Sequence, residues 1–158
     1  MIDMKAKQQV PKGTINTFTI GFTQKTAQEF FEKLRAAGVK RVVDVRLHNA
    51  RNLAGFTKSS HLPYFLRQIL DGDYVHEPLL APTEQILQSK RDGGSWSDRE
   101  RDFLALMQER QVEKKIDPQL LDGGCLLCSE PEPDECHRRL VAEYLQRQWG
   151  NLSITHLV

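Results

Sequence analysis

A short stretch near the carboxyl end of the chain, CSEPEPDECHR from Cys128 to Arg138, brings several reactive side chains together. It contains two thiols, an imidazole and an arginine. A thiolate is a nucleophile of the kind used in acyl or phosphoryl transfer, an imidazole is a general acid or base near neutral pH, and an arginine fork binds carboxylate or phosphate. Three roles compete for the stretch: catalysis, metal binding, or an ordinary junction between a strand and a helix.

The spacing predicts that Asp134 caps a helix, with Glu135, Cys136 and His137 at its first three positions. The helix dipole and the neighbouring Arg138 favour a thiolate at Cys136, whereas the two acidic residues oppose it. We therefore interpret Cys136 as the candidate nucleophile and His137 as its acid–base partner. The alternative is that Cys136 is a small buried residue that packs the helix onto a sheet.

The elements that must position these residues alternate along the chain. Apolar and β-branched runs predict five strands, over residues 16–22, 41–46, 74–77, 123–129 and 153–158. Capping patterns and apolar periodicity predict helices that start at Thr26, Ser59, Ser97 and Asp134. The stretch 46–59 lacks periodicity and is predicted to be a long loop.

This order of elements predicts an α/β fold: a single-domain three-layer sandwich with a mainly parallel sheet of about five strands. Residues 16–158 are expected to form the domain, and residues 1–15 are expected to be a polar tail.

Polar side chains follow the predicted strands at their carboxyl ends, where open α/β sheets bind ligands. The candidate site residues at these strand ends, and at the start of the helix that follows the fourth strand, are Thr23, Asp44, Arg46, Arg51, Cys128, Glu130, Cys136, His137 and Arg138. The three arginines would bind an anion, with Thr23 and Cys128 beside it. Glu130 would act as a general base or orient an arginine, and Asp44 joins the candidate catalytic set. Taken singly, each residue could equally be an ordinary polar group at a strand end.

Composition excludes some classes of protein. Lys plus Arg total 22 and Asp plus Glu total 21, so no overall charge favours nucleic acid or a membrane as partner. No apolar run of about 18 residues is present, and the first residues lack the apolar core of a signal peptide. Three cysteines without an export signal indicate free thiols, and we expect a cytoplasmic protein.

A metal site is the minority alternative. Cys128, Cys136 and His137, with His48 or His76, could supply four ligands. Their spacing is not that of paired C-x-x-C motifs, and adjacent residues on a helix point to different faces. We therefore expect no metal and no cofactor.

Three segments resemble the landmarks of an uncharacterised family, domain of unknown function 488. They are TIGFT at 19–23, DVR at 44–46 with AR at 50–51, and CSEPEPDECHR at 128–138. The family's early histidine and serine are Phe22 and Thr23 here. The resemblance extends from about Phe18 to the end of the chain and supports the site, but it implies no reaction.

The favoured interpretation is an enzyme, a hydrolase or transferase, that acts on a nucleotide, a nucleic-acid end or another phosphorylated compound. Two alternatives stay open: a non-catalytic module that binds a nucleotide or nucleic acid, and a metal-dependent enzyme. The sequence leaves the substrate and the oligomeric state undetermined.

Overall fold

The structure, a computed structural model, describes residues 13–50 and 54–158. Within them lies one five-stranded sheet with the order β3-β2-β4-β1-β5, in which all neighbouring strands are parallel. The strands are β1 Ile15–Gly21, β2 Arg41–Asp44, β3 Asp73–His76, β4 Gly124–Cys128 and β5 Leu152–Leu157. The predicted α/β fold and parallel sheet are confirmed, with strand boundaries shifted by one or two residues.

Helices cover both faces of the sheet. They are α1 Ala27–Ala37, α2 Leu62–Leu70, α3 Glu84–Arg91, α4 Trp96–Arg110, α5 Val112–Lys115, α6 Pro118–Leu121 and α7 His137–Trp149. Helices α1 and α2 pack on one face through Phe30, Phe31, Leu34 and Leu66. Residues of α4 and α7, among them Phe103, Met107, Leu140, Val141 and Leu145, fill the core on the other face. The result is a three-layer sandwich. No helix in the described ranges has the length and apolar character needed to cross a membrane.

The first helix begins and ends as its sequence predicts. The Thr26 hydroxyl accepts from the Glu29 amide at 3.1 Å, and the Glu29 carboxylate accepts from the Thr26 amide at 3.3 Å. Gly38 ends the helix in the left-handed region, at φ +75°. Both signals lie within a few residues of the helix ends, so the sequence alone is sufficient to place them.

Three predicted helix starts were wrong. Helix α4 is capped by Ser95, whose hydroxyl accepts from the Asp98 amide at 3.1 Å, and not by Ser97. Both serines fit the same S-x-x-acid pattern, so the pattern alone could not choose. Helix α2 begins at Leu62 rather than at Ser59. Two overlapping turns precede it, in which the amides of His61 and Leu62 both donate to the Lys58 carbonyl.

Helix α7 begins two residues later than predicted. Asp134 and Glu135 lie in a separate turn, closed by the Cys136 amide on the Pro133 carbonyl at 3.3 Å. Cys136 is extended, with φ −134° and ψ 140°, and it is the N-cap of the helix. His137 is therefore the first helical residue, and Cys136 stands at the helix mouth rather than inside the first turn.

Register divides the carboxyl edge of the sheet into two faces. Asp44 on β2 is opposite Leu127 on β4, and Gly21 on β1 is opposite Cys128. Side chains alternate between the faces along a strand. Leu127 packs with the α1–α2 layer and Cys128 with the α7 layer. Asp44 and Cys128 therefore lie at the same edge but on opposite faces.

Candidate functional site

Two cysteines meet on the α7 face of the sheet. Cys128 ends β4 and points toward α7, whereas Cys125 lies in the core of the opposite face. Cys136 caps α7 and is only 1% exposed. The two side chains interact, and a hydrogen bond from the Cys128 thiol toward the Cys136 sulfur is the main influence on the pKa of each. The chain thus brings together two thiols that are separated by a loop in the sequence.

The surroundings of Cys136 favour its thiolate. The hydrogen bond from Cys128 is the largest cause, and the charge of Arg138 adds to it, whereas burial opposes both. Together they lower the pKa of Cys136 to about 7. The pKa of Cys128 is raised, because that thiol keeps its proton in order to donate it. Cys136 is therefore about half ionised at pH 7, whereas Cys128 keeps its proton.

Arg138 is the second charged partner in this site, and it is fully buried. Its Nη1 lies 3.2 Å from the Cys136 sulfur and also donates to the Glu130 carbonyl, and its Nη2 donates to the Pro131 carbonyl at 3.3 Å. No carboxylate within residues 13–50 and 54–158 forms an ion pair with it. A guanidinium stays protonated in proteins, and a buried charge requires a counter-charge. In this site the Cys136 thiolate can supply it.

Gly21 makes room for this arginine. A Cβ at Gly21 would stand 1.5 Å from the Glu130 carbonyl oxygen and 2.9 Å from Arg138 Nη1. Only glycine permits the loop after β4 and the guanidinium to approach β1 this closely.

His137 and Glu130 point away from the thiol pair. The His137 ring packs on Phe103 with centroids 4.6 Å apart and on Trp96 at 5.8 Å. Burial, helped by the charges of Arg99 and Lys90, lowers the pKa of His137 to about 4, so the ring is neutral at pH 7. The Glu130 carboxylate forms an exposed ion pair with Lys90. In this arrangement neither side chain contacts the Cys136 sulfur, so their predicted roles as acid–base groups for that thiol gain no support.

Asp44 and Arg46 form a second buried cluster on the α1–α2 face. Arg46 Nε and Nη2 each donate to one Asp44 carboxylate oxygen at 2.8 Å, and Nη2 also donates to the Thr57 carbonyl at 2.7 Å. The Tyr74 hydroxyl donates to Asp44 at 2.6 Å, and the His76 Nε2 lies 2.9 Å from the Arg46 carbonyl. The cluster fastens the loop after β2 to the sheet.

Comparison with protein families matches residues 26–145 to the family described as domain of unknown function DUF488. The chain belongs to this family. The matched range includes DVR at 44–46 and the segment from Cys128 to Arg138, but not TIGFT at 19–23. None of the curated proteins and none of the solved structures gave a significant match.

Two predicted site residues of this DUF488 domain remain, Thr23 and Arg51. Thr23 is exposed, and its amide donates to the Ser129 carbonyl at 3.1 Å, which ties the loops after β1 and β4 together. Arg51 lies outside the described residues, so its predicted role in ligand binding stays a prediction.

Two further residues lie near Arg138 that the sequence did not single out as site residues. Burial, and then the charge of Arg138, lowers the pKa of Lys25. The same two causes lower the pKa of His156, whose Nδ1 lies 2.6 Å from the Thr19 hydroxyl. Parallel pairing of β1 with β5 brings His156 there, and no local pattern in the sequence indicates that pairing.

The proposed metal ligands do not converge in this DUF488 domain. Cys136 faces Cys128, His137 faces an aromatic pocket, His76 contacts the Arg46 carbonyl and His48 contacts Glu84 at 2.6 Å. In the described ranges, no group of three or more His, Cys, Asp or Glu side chains is arranged to hold a metal ion.

Proposed function

We propose that this DUF488 domain binds a small phosphorylated substrate at the carboxyl edge of its sheet and attacks it with the Cys136 thiolate. The observation that supports this most directly is the 3.2 Å contact between Arg138 Nη1 and the Cys136 sulfur in a buried setting. A thiolate held beside a guanidinium is a nucleophile at neutral pH, and the same guanidinium can bind a phosphate oxygen.

Positive charge around the thiol pair favours an anionic ligand. Arg138 and Lys25 repel each other, which contributes to the lowered pKa of Lys25. An incoming anion would relieve this repulsion. The start of α7 adds the positive end of a helix dipole, which also favours an anion. Glu132 and Glu29 oppose the effect at Lys25, so the favoured ligand is a small anion rather than an extended polyanion.

In the proposed reaction, the Cys136 sulfur forms a bond to phosphorus as the ester oxygen leaves with its electron pair and takes a proton from water. A second water then attacks phosphorus, the bond from sulfur to phosphorus breaks, the thiolate is regenerated and inorganic phosphate is released. The proton that the second water loses neutralises the hydroxide left by the first. Cys128 remains the proton donor that stabilises the thiolate before attack and after release.

Access to the sulfur requires movement. Cys136 is 1% exposed and Arg138 is fully buried beneath the loop over residues 129–135. Arg138 holds that loop through the Glu130 and Pro131 carbonyls, and the Thr23 amide holds it through Ser129. The structure is therefore a closed state, and a substrate would replace loop carbonyls as the partner of Arg138.

The test measures hydrolysis of para-nitrophenyl phosphate by the wild type, Cys136→Ser and the control Cys125→Ser. Cys136→Ser should lose turnover by about 100-fold or more, while Cys125→Ser should stay near the wild type because that thiol lies on the other face. Turnover retained in Cys136→Ser would remove the thiol from the mechanism.

A non-catalytic anion-binding module is the second candidate, and the burial of Cys136 favours it. Calorimetric titration with inorganic phosphate separates the two. Affinity that depends on Arg138, without turnover of any aryl phosphate, would identify a binding module. Turnover that depends on Cys136 would identify an enzyme.

A further inference from the structure

The two sulfurs on the α7 face have a chemical relationship that goes beyond the proposed function. Cys128 is the last residue of β4, and its partner across the sheet is Gly21, which has no side chain to separate it from the mouth of α7. Arg138 Nη1 lies over Gly21 and 3.2 Å from the Cys136 sulfur. Cys136 therefore contacts the guanidinium directly, and Cys128 lies on the same face of the sheet, where the same guanidinium and the Cys136 sulfur influence its pKa.

We propose that Cys128 and Cys136 are a redox pair, in which a small hydroperoxide oxidises Cys136 and Cys128 resolves the product to an intrachain disulfide. Cys128 ends β4 and Cys136 caps α7, so the proposed bond would close the loop over residues 129–135 that connects them.

Cys136 is the sulfur that reacts first, because Cys128 donates the hydrogen bond and Arg138 stabilises the thiolate. Hydrogen peroxide is almost as small as water, so the 1% exposure of Cys136 excludes bulky oxidants much more than peroxide. Cys128 is partly exposed as a residue, so the pair lies close to the surface at this edge of the sheet.

The chemistry balances in two steps. The Cys136 thiolate attacks one peroxide oxygen, an S–O bond forms, the O–O bond breaks, and the departing hydroxide takes up a proton to become water. The Cys128 thiol then attacks the sulfenic sulfur, an S–S bond forms, and the hydroxyl leaves with the Cys128 proton as a second water. The sulfur pair loses two electrons and the peroxide gains them. A thiol reductant restores both cysteines.

Cys125 supplies an internal control for this assignment. It is fully buried on the opposite face, where burial raises the pKa of its thiol, and its sulfur contacts only the neighbouring Leu126 carbonyl at 3.9 Å among the hydrogen bonds of the described residues. It should neither react with peroxide nor enter a disulfide in the folded chain.

The experiment treats the full chain with a small excess of hydrogen peroxide and follows it by intact mass and peptide mapping. The wild type and Cys125→Ser should each lose two hydrogens and yield one peptide linked between residues 128 and 136, and a dithiol should reverse the change. Cys128→Ser, or Cys128→Ala should the serine variant not fold, should form no disulfide and should trap a dimedone adduct at Cys136.

A disulfide that includes Cys125, a disulfide only between chains, or Cys136 that stays reduced under peroxide would overturn the proposal. Phosphatase turnover is measured separately on the reduced chain. A missing disulfide and missing turnover are therefore distinguishable failures.

Discussion

Two buried arginines lie at the same edge of the sheet, and they differ in what neutralises them. Arg46 lies over the Phe22 ring on the α1–α2 face and forks onto the Asp44 carboxylate with two contacts of 2.8 Å. Arg138 lies over Gly21 on the α7 face, where its partners are two carbonyls and a thiol. Gly21 at the end of β1 and Phe22 directly after it thus lie against two different arginines, one paired with a carboxylate and one beside a thiol.

The difference teaches how the two sites can be used. The Asp44–Arg46 pair carries its own counter-charge, so its arginine gains little from a ligand and fastens a loop instead. Arg138 depends on the Cys136 thiolate for its counter-charge. An anionic ligand, or a change in the charge of the thiol, would therefore change how this arginine is neutralised. The α1–α2 face is therefore expected to govern stability, and the α7 face to govern reactivity.

The largest effect should come from breaking the carboxylate-paired site. Asp44→Asn removes the negative charge and leaves Arg46 buried without it, which should lower the free energy of unfolding by about 3–5 kcal/mol. Glu32→Gln is the matched control, because Glu32 and Arg35 form an exposed pair worth less than about 1 kcal/mol. Denaturant unfolding measures both. An Asp44→Asn loss as small as the control's would show that the pair does not fasten the fold.

Acid should weaken the α7 face through His137. Its pKa is about 4 in the fold and near 6.5 when unfolded, so below pH 6.5 the unfolded chain binds a proton that the folded chain does not. Stability from this group is complete above pH 6.5 and falls as the pH drops toward 4, by at most about 3 kcal/mol. The free energy of unfolding, measured across this pH range, should fall less steeply with falling pH in His137→Phe than in the wild type. An identical pH dependence in that variant would assign the acid sensitivity elsewhere.

The smallest of the three expected effects tests whether Arg138 lowers the pKa of Cys136. Arg138→Gln removes the charge beside Cys136 and should raise the pKa of that thiol, which lowers the thiolate fraction at pH 7 by up to roughly 15-fold if the pKa returns to its ordinary value. Arg139→Gln is the matched control, since Arg139 contacts the Pro133 and Asp134 carbonyls and Glu143 instead. The rate of alkylation of Cys136 against pH reports the shift. Equal rates in both variants would contradict the pairing.

The features that depend on a few neighbouring residues could be predicted from the sequence. The Thr26–Glu29 capping box, the Gly38 stop and the five strands lie in short patterns, and the parallel sheet follows from the order of the elements. The sequence also predicted that polar residues would collect at the carboxyl edge. The helix α3 was missed, because Ile86 is its only buried residue and leaves almost no apolar period to recognise.

The sequence could not predict which face each site residue occupies. A shift of one residue in register moves a strand's side chains to the other face, so Asp44 and Cys128 look alike as strand-end residues although they face opposite layers. The Asp44–Arg46 fork and the Cys128–Cys136 contact depend on that register. Asp134 fits the N-cap preference better than Cys136, but the turn that begins at Pro133 takes Asp134 out of the helix.

The central claim is that Cys136 carries a thiolate beside buried Arg138 near neutral pH. The most direct measurement is a pH titration of the thiolate ultraviolet absorbance of the native chain, with Cys136→Ser as reference. Burial raises the pKa of Cys125, and donation to Cys136 raises that of Cys128, so neither should titrate in this range. The wild type should show a step of one thiolate with a midpoint at about pH 7 that is absent from Cys136→Ser. A first thiolate that appears only near the ordinary thiol pKa of about 8.5, or an unchanged step in Cys136→Ser, would contradict the account.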